Sequence, residues 1–358
     1  MGPPRTGADA RRTARDAGHA QSSGARGGAF DRRRRERRGQ GQRAGRRVRR
    51  ATRSARGSGA TRAPGVGDLV RRRGRRGEDQ GPGGGAPLTV VGAGPWFVEA
   101  RDGTLIAVFS SGRGRPLLVV HGAAADHTTF RTVGPLFGVR FGVHAIDRRG
   151  RGASGDRTGY RIEREFDDVA MVIERLAALA GRKVDVIGHS FGGRIALGAA
   201  LRADSIGRLV VYEGAPPAER PYQAPDLRDR LERLLAEDGP AALFETFLSE
   251  VIGMTPEDIA AYRANPVWPD RVAAAATILR ELDAESSPAA GLDALGGVTI
   301  PVLQILGGES LPAFREATEA LDARLANGHV VVIEGAKHAA HHTHAARFVA
   351  EVEAFLRP

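Results

Sequence analysis

The chain reads as α/β, a mostly parallel sheet flanked by helices, with a helical segment inserted before the penultimate strand. Three observations carry that expectation. Short apolar runs that end at turn residues recur without strict alternation, as strands buried on both faces do. Longer stretches with helical spacing alternate with them. One interval of roughly 80 residues, 216–298, carries helical patterns and no convincing strand.

In chain order, Trp96–Ala100 and Leu105–Ser110 flank the turn signal Asp102-Gly103 and predict a hairpin. Leu117–Val120, Gly142–Ile146, Val184–Ile187, Leu209–Tyr212, Val302–Leu306 and Val330–Ile333 follow as buried strands. Between them, Ile162, Phe166, Val169, Ile173, Leu176 and Ala180 mark one face of a helix across 161–180. Phe191–Leu201, Phe314–Leu325 and Ala345–Leu356 are the other helices outside the insertion. Inside it the helical faces are Leu227/Leu231/Leu234, Phe244/Phe247/Leu248/Val251, Ile259/Tyr262 and Val272/Ala276/Leu279. A unit of that kind at the sheet edge is a natural cap.

Charge divides the 358 residues in two. The whole chain has 53 Lys+Arg against 42 Asp+Glu, a formal +11. Residues 1–86 hold 24 Arg, no Lys and 7 acids, a net of +17, which leaves −6 on residues 87–358. The first segment has 19 glycines and, alanine aside, only Met1, Phe30, Val48, Val66, Leu69 and Val70 to bury. Burial on that scale cannot offset ordering entropy, so 1–86 is expected to be a disordered basic tail. Its arginine runs, Arg32–Arg35 and Arg71–Arg73, have no aromatic platform among them, so contact with nucleic acid would be non-specific. No apolar stretch follows them, which excludes a secretory or twin-arginine leader, and the acids count against a transit peptide. Only Lys183 and Lys337 are lysine in the whole chain, a skew expected of GC-rich coding sequence. The tail therefore reads equally well as an over-extended start. The remainder, 87–358, is the expected folded domain.

The absence of cysteine excludes a disulfide framework, a thiolate zinc site, an iron–sulfur cluster and a cysteine nucleophile. Other chemistry is visible. Gly188-His189-Ser190-Phe191-Gly192 is G-x-S-x-G, placed between a strand and a helix as the nucleophile elbow requires. Ser190 is the candidate nucleophile. An acyl-transfer site also needs two backbone N–H groups aimed at a developing oxyanion. Phe191 supplies one and Ala123, in His121-Gly122-Ala123 after the strand Leu117–Val120, supplies the other. His121 is expected to shape that loop. The general base is His338, past the last strand, with His341, His342 and His344 on the exposed start of the final helix. A metal site built from these four histidines lacks any supporting carboxylate or Cys pattern. Two carboxylates could orient His338: Glu309, just past Val302–Leu306, and Glu213, just past Leu209–Tyr212. Position ranks Glu309 first.

With these motifs in hand, residues from about 95 to 358 resemble the α/β-hydrolase fold superfamily in its cap-bearing branch. The order nucleophile, acid, histidine matches, as do His121-Gly122, Gly188 to Gly193 and Gly335-Ala336-Lys337-His338. Asp147 to Gly155 resembles the family's loop after its fourth strand, with arginines that read first as loop-shaping. Many relatives place an Asp three residues after the first glycine of the acid loop; this chain has Ser310 there, and a shorter Gly-Gly-acid form brings in Glu309. The resemblance implies a serine hydrolase, esterase-like and without a cofactor, that cleaves an ester or related acyl bond through a Ser-His-Glu triad and an acyl-enzyme. The Leu, Phe and Val content of the insertion points to a small to medium, partly apolar substrate. Carbon–carbon bond hydrolysis, lactonase or haloperoxidase activity, and a non-catalytic ligand-binding role, are the alternatives. No metal, specific nucleic-acid or membrane partner is expected, the location is expected to be cytoplasmic, and oligomeric state is not readable. If the tail is dispensable, a chain starting at Pro87 keeps full activity and solubility; a large loss of turnover on truncation would overturn that reading.

Overall fold

The computed structural model describes residues 94–219 and 221–357. The expectation for 1–86 lies outside the described residues. The strands are β1 (Trp96–Glu99), β2 (Leu105–Gly112), β3 (Arg115–Val120), β4 (Phe141–Ile146), β5 (Val184–His189), β6 (Ile206–Tyr212), β7 (Val302–Gly307) and β8 (Gly328–Ile333). They form one sheet in the order β1-β2-β4-β3-β5-β6-β7-β8. The β1–β2 and β2–β4 pairs are antiparallel, and every later pair is parallel.

The helices, in order, are α1 (Gly134–Phe137), α2 (Ile162–Ala180), α3 (Phe191–Ala200), α4 (Leu227–Glu237), α5 (Pro240–Glu250), α6 (Pro256–Arg263), α7 (Trp268–Ala274), α8 (Thr277–Ala284), α9 (Leu292–Leu295), α10 (Pro312–Asp322), α11 (Ala340–Thr343) and α12 (Ala345–Leu356). None among the described residues is long and apolar enough to cross a membrane.

Strand β3 shows why the apolar runs do not alternate. Leu118 and Val120 pack with Phe166, Ile173, Ile195 and Leu197 from α2 and α3. Leu117 and Val119 point the other way, to Phe137, Phe348 and Val352 from α1 and α12. Successive side chains on a strand face opposite sides, and here both sides are covered. All four are at most 1% exposed.

The interval between β6 and β7 is helical, as its spacing predicts. Leu227, Leu231, Leu243, Phe244, Phe247 and Ile278 form its own core, together with Ala124 from the loop after β3. One expected stripe, Val272/Ala276/Leu279, breaks between α7 and α8. The break gives the insertion two separate tethers. On α7, Arg271 reaches Asp126 Oδ1 at 2.8 Å and Thr128 Oγ1 at 2.7 Å. On α8, Glu281 Oε1 receives Arg148 at 2.5 Å and also Arg151.

The second tether belongs to a buried charge network. Arg148 donates through Nε and Nη2 to the two carboxylate oxygens of Glu165, both at 2.7 Å, and Tyr160 donates to the same carboxylate. Arg149 makes the equivalent fork with Asp168 at 2.7 and 2.8 Å. These arginines shape their loop. Burial alone would raise the Glu165 carboxyl, but the charges of Arg148 and Arg151 outweigh it and hold it at about 2. Asp126 is likewise held at about 2, its burial outweighed by Arg271 and the bonds from Thr128.

Removing one member of such a network leaves a buried charge uncompensated. Glu165→Gln is therefore expected to cost about 3–5 kcal/mol, read as a lower urea midpoint at unchanged slope. Both carboxyls lie below their unfolded values of 4.5 and 3.8, so their contribution is complete above that range. It is lost as pH falls toward about 2, and an acid titration of stability should be shallower in Glu165→Gln than in the wild type.

Candidate active site

The turn from β5 into α3 holds Ser190 at φ 54°, ψ −129°, the left-handed side of backbone space. Two glycines make that possible. A Cβ on Gly188 would stand 2.5 Å from Gly193 Cα, and one on Gly192 would stand 2.2 Å from His121 O. Only hydrogen fits at either place. Ser190 N–H donates to Tyr212 O at 2.8 Å, which ties the turn to β6.

The end of β6 also carries one of the two candidate acids. Glu213, at φ 44° and 3% exposed, accepts the His338 Nδ1 proton on Oε2 at 2.5 Å. Its Oε1 accepts from Gly307 N at 2.7 Å and Ser310 Oγ at 2.5 Å. Glu309, ranked first from the sequence, is exposed, and its backbone N–H donates to Ala336 O. The carboxylate brought to His338 is that of Glu213, so the ranking is reversed. Its physical reason is the backbone at 213, which turns the side chain across β7 toward the loop after β8. The hydroxyl of Ser310 closes on that carboxylate from the acid loop.

His338 packs its ring on Phe314, with centroids 4.6 Å apart. With Nδ1 directed at Glu213, Nε2 is left without a hydrogen-bond partner among the described residues. His338 and Ser190 line one cleft of about 520 Å³, whose other walls include Ala124, Phe244, Met254 and Tyr262. At its mouth the exposed Lys337 Nζ lies 3.6 Å from Asp258 on α6.

Sequence reasoning missed Tyr212 as a positioning residue. Its hydroxyl donates to Lys337 O and accepts from Ala340 N at 2.7 Å, fixing the segment that carries His338 from both sides. Read as a sequence, Tyr212 is one more apolar strand residue. His341 also differs from expectation: it is buried, packed against Phe130, Phe348 and His189, with burial pushing its ring well below the ordinary histidine value. His342 Nδ1 pairs with Thr132 Oγ1 and His344 Nδ1 with Thr343 Oγ1, so the histidines do not converge on one ion. Asp126, His127 and Asp147 do come within ligating reach of one another. Their atoms are taken, however: Asp147 Oδ1 accepts from His127 N, Asp147 Oδ2 from Ala153 N, and Asp126 is paired with Arg271.

The loop after β3 lies opposite. His121 Nε2 accepts from Arg148 N at 3.0 Å, and Nδ1 donates to Gly122 O at 2.9 Å. Burial, with the charge of Arg148, pushes its pKa well down, consistent with a neutral ring in that role. Arg148 Nη1 also donates to Gly122 O at 2.9 Å. The carbonyl of Gly122 and the N–H of Ala123 belong to one trans peptide and point in opposite directions. Holding the carbonyl on Arg148 and His121 therefore turns the Ala123 N–H away from them. Phe191, the first residue of α3, keeps a first-turn N–H with no intrahelical acceptor. Ala123, Phe191 and Ser190 all line a second, smaller chamber.

A sequence model described as "Alpha/beta hydrolase family" matches residues 117–352. A pimeloyl-[acyl-carrier protein] methyl ester esterase from Aliivibrio salmonicida is 26% identical over 262 residues, 70% of this chain and 95% of that enzyme. One from Neisseria meningitidis is 27% identical over 262 residues, 68% of this chain and 77% of that enzyme. Among solved structures, an alpha/beta hydrolase from Sphaerobacter thermophilus is 30% identical with a TM-score of 0.60, over 71% of this chain and all of that one. The chain belongs to the alpha/beta hydrolase family.

Proposed function

We propose that the protein is a serine ester hydrolase in which Ser190 is the nucleophile, His338 the general base and Glu213 the acid that orients it. The observation that carries this reading is the state of His338. Its Nδ1 is bonded to Glu213 while its unpartnered Nε2 shares a cleft with Ser190 on the positive-φ elbow. The esterase relatives favour an ester over the other bonds this family cleaves.

In the first half-reaction Ser190 Oγ attacks the acyl carbon and its proton passes to His338 Nε2. The N–H groups of Ala123 and Phe191 hold the oxyanion that forms. His338 returns the proton to the departing alcohol oxygen, leaving an acyl-Ser190. Water then attacks the acyl carbon, giving its proton to Nε2, and collapse of the second oxyanion releases the acid and restores the serine. Glu213 keeps its bond to Nδ1 throughout and stabilises the imidazolium. The helical insertion acts as the cap that walls the cleft.

A fluorophosphonate should label the wild type at Ser190 and leave Ser190→Ala unlabelled; equal labelling of both would remove Ser190 from this role. Glu213→Ala should lower kcat by about 10³–10⁴-fold, the scale of losing the group that sets the histidine tautomer. Glu309→Ala should stay within about twofold, since an exposed carboxylate has no part in the step. The opposite order would restore Glu309 as the acid.

A further inference from the structure

The smaller chamber beside Ser190 is built differently from the long cleft. Its volume, about 40 Å³, is room for roughly three water-sized atoms. Phe247, Val251, Ile278 and Phe314 give it apolar walls, yet Arg194 and Glu281 also line it. Arg194 lies one helical turn past Ser190 and is 3% exposed. Its guanidinium stands over the rings of Phe191 and Tyr222, at 5.4 and 5.9 Å, and pairs with Glu285 at 3.2 Å. Nε of that guanidinium is buried without a partner among the described residues. Glu281, 2% exposed, spends Oε1 on Arg148 and Arg151, and its Oε2 is likewise buried without a donor.

A buried donor and a buried acceptor left unmatched on two side chains that line one small space call for a ligand group. The missing complement is a group that both accepts and donates. A hydroxyl is the smallest that does. A carboxylate is disfavoured because Glu213, Glu281 and Glu285 line the chamber against a single arginine, and an ammonium would meet that arginine. We propose that this chamber is the acyl subsite, and that it selects a short acyl chain ending in a hydroxyl group. The proposal rests on Ser190 being the nucleophile and adds the substrate class to that reading.

The test uses p-nitrophenyl esters of the full-length protein's candidate acyl groups. A p-nitrophenyl ring is too large for the chamber and must occupy the long cleft, which directs the acyl group to Arg194 and Glu281. The 3-hydroxypropionate and butyrate esters differ only in a terminal OH for CH₃. The expected kcat/KM is at least about tenfold higher for the hydroxy ester, with hexanoate below butyrate because its chain exceeds the space. Arg194→Met should bring the hydroxy/butyrate ratio toward one, with a thermal melt confirming that the variant is folded. The wild-type ratio decides the matter even if that variant does not fold. A ratio of one or less, with butyrate turned over and Ser190 labelled, overturns the subsite alone; it is what a chamber filled only by water would give. No hydrolysis of any of the three, with no labelling at Ser190, overturns the nucleophile and the subsite together.

Discussion

The guanidinium of Arg148 sits where four segments meet, and most of the site's geometry is referred to it. It is anchored on Glu165 of α2, reaches Glu281 of α8 and holds the carbonyl of Gly122 in the loop after β3. Burying this charge disfavours it, but the carboxylates of Glu165 and Glu281 more than compensate and keep the group firmly cationic. The energetic balance depends on all partners being present. Because the carbonyl of Gly122 shares that guanidinium, the direction of the Ala123 amide is coupled to the seating of the helical insertion. Core packing, insertion and proposed oxyanion donor are thus parts of one electrostatic arrangement.

Backbone strain is concentrated in the same place. The non-glycine residues with positive φ among those described are Ala124, Ser190 and Glu213. One follows the proposed oxyanion donor, one is the proposed nucleophile and one carries the carboxylate that meets His338. Each such conformation costs of order 1–3 kcal/mol and persists only where its surroundings over-determine it. Here those surroundings are identifiable: the close backbone approach at Gly188 and Gly192, the insertion core around Ala124, and the bonds from Gly307 and Ser310 to Glu213.

The strands were legible because a parallel sheet covered on both faces demands unbroken apolar runs, and Leu117–Val120 supplies one. The elbow was legible because Gly188 and Gly192 stand at fixed spacing around Ser190. The acid was not, because Glu213 and Glu309 both follow strands, and sequence does not record which loop crosses toward β8. Tyr212 was hidden for a related reason: its hydroxyl acts on Lys337 and Ala340, more than a hundred positions away, while its ring satisfies the local strand pattern. The burial of His341 escaped notice because a short turn, α11, precedes the final helix and carries that ring inward. In each case the missing information was long-range.

The insertion is held by two buried tethers and, at the cleft mouth, by the solvent-exposed contact of Lys337 with Asp258. An exposed pair contributes about 0–1 kcal/mol and is weakened further by salt. The buried tethers have no comparable freedom. The contact beside the cleft therefore breaks and re-forms at thermal energies, while the two buried tethers keep the insertion seated over Ser190.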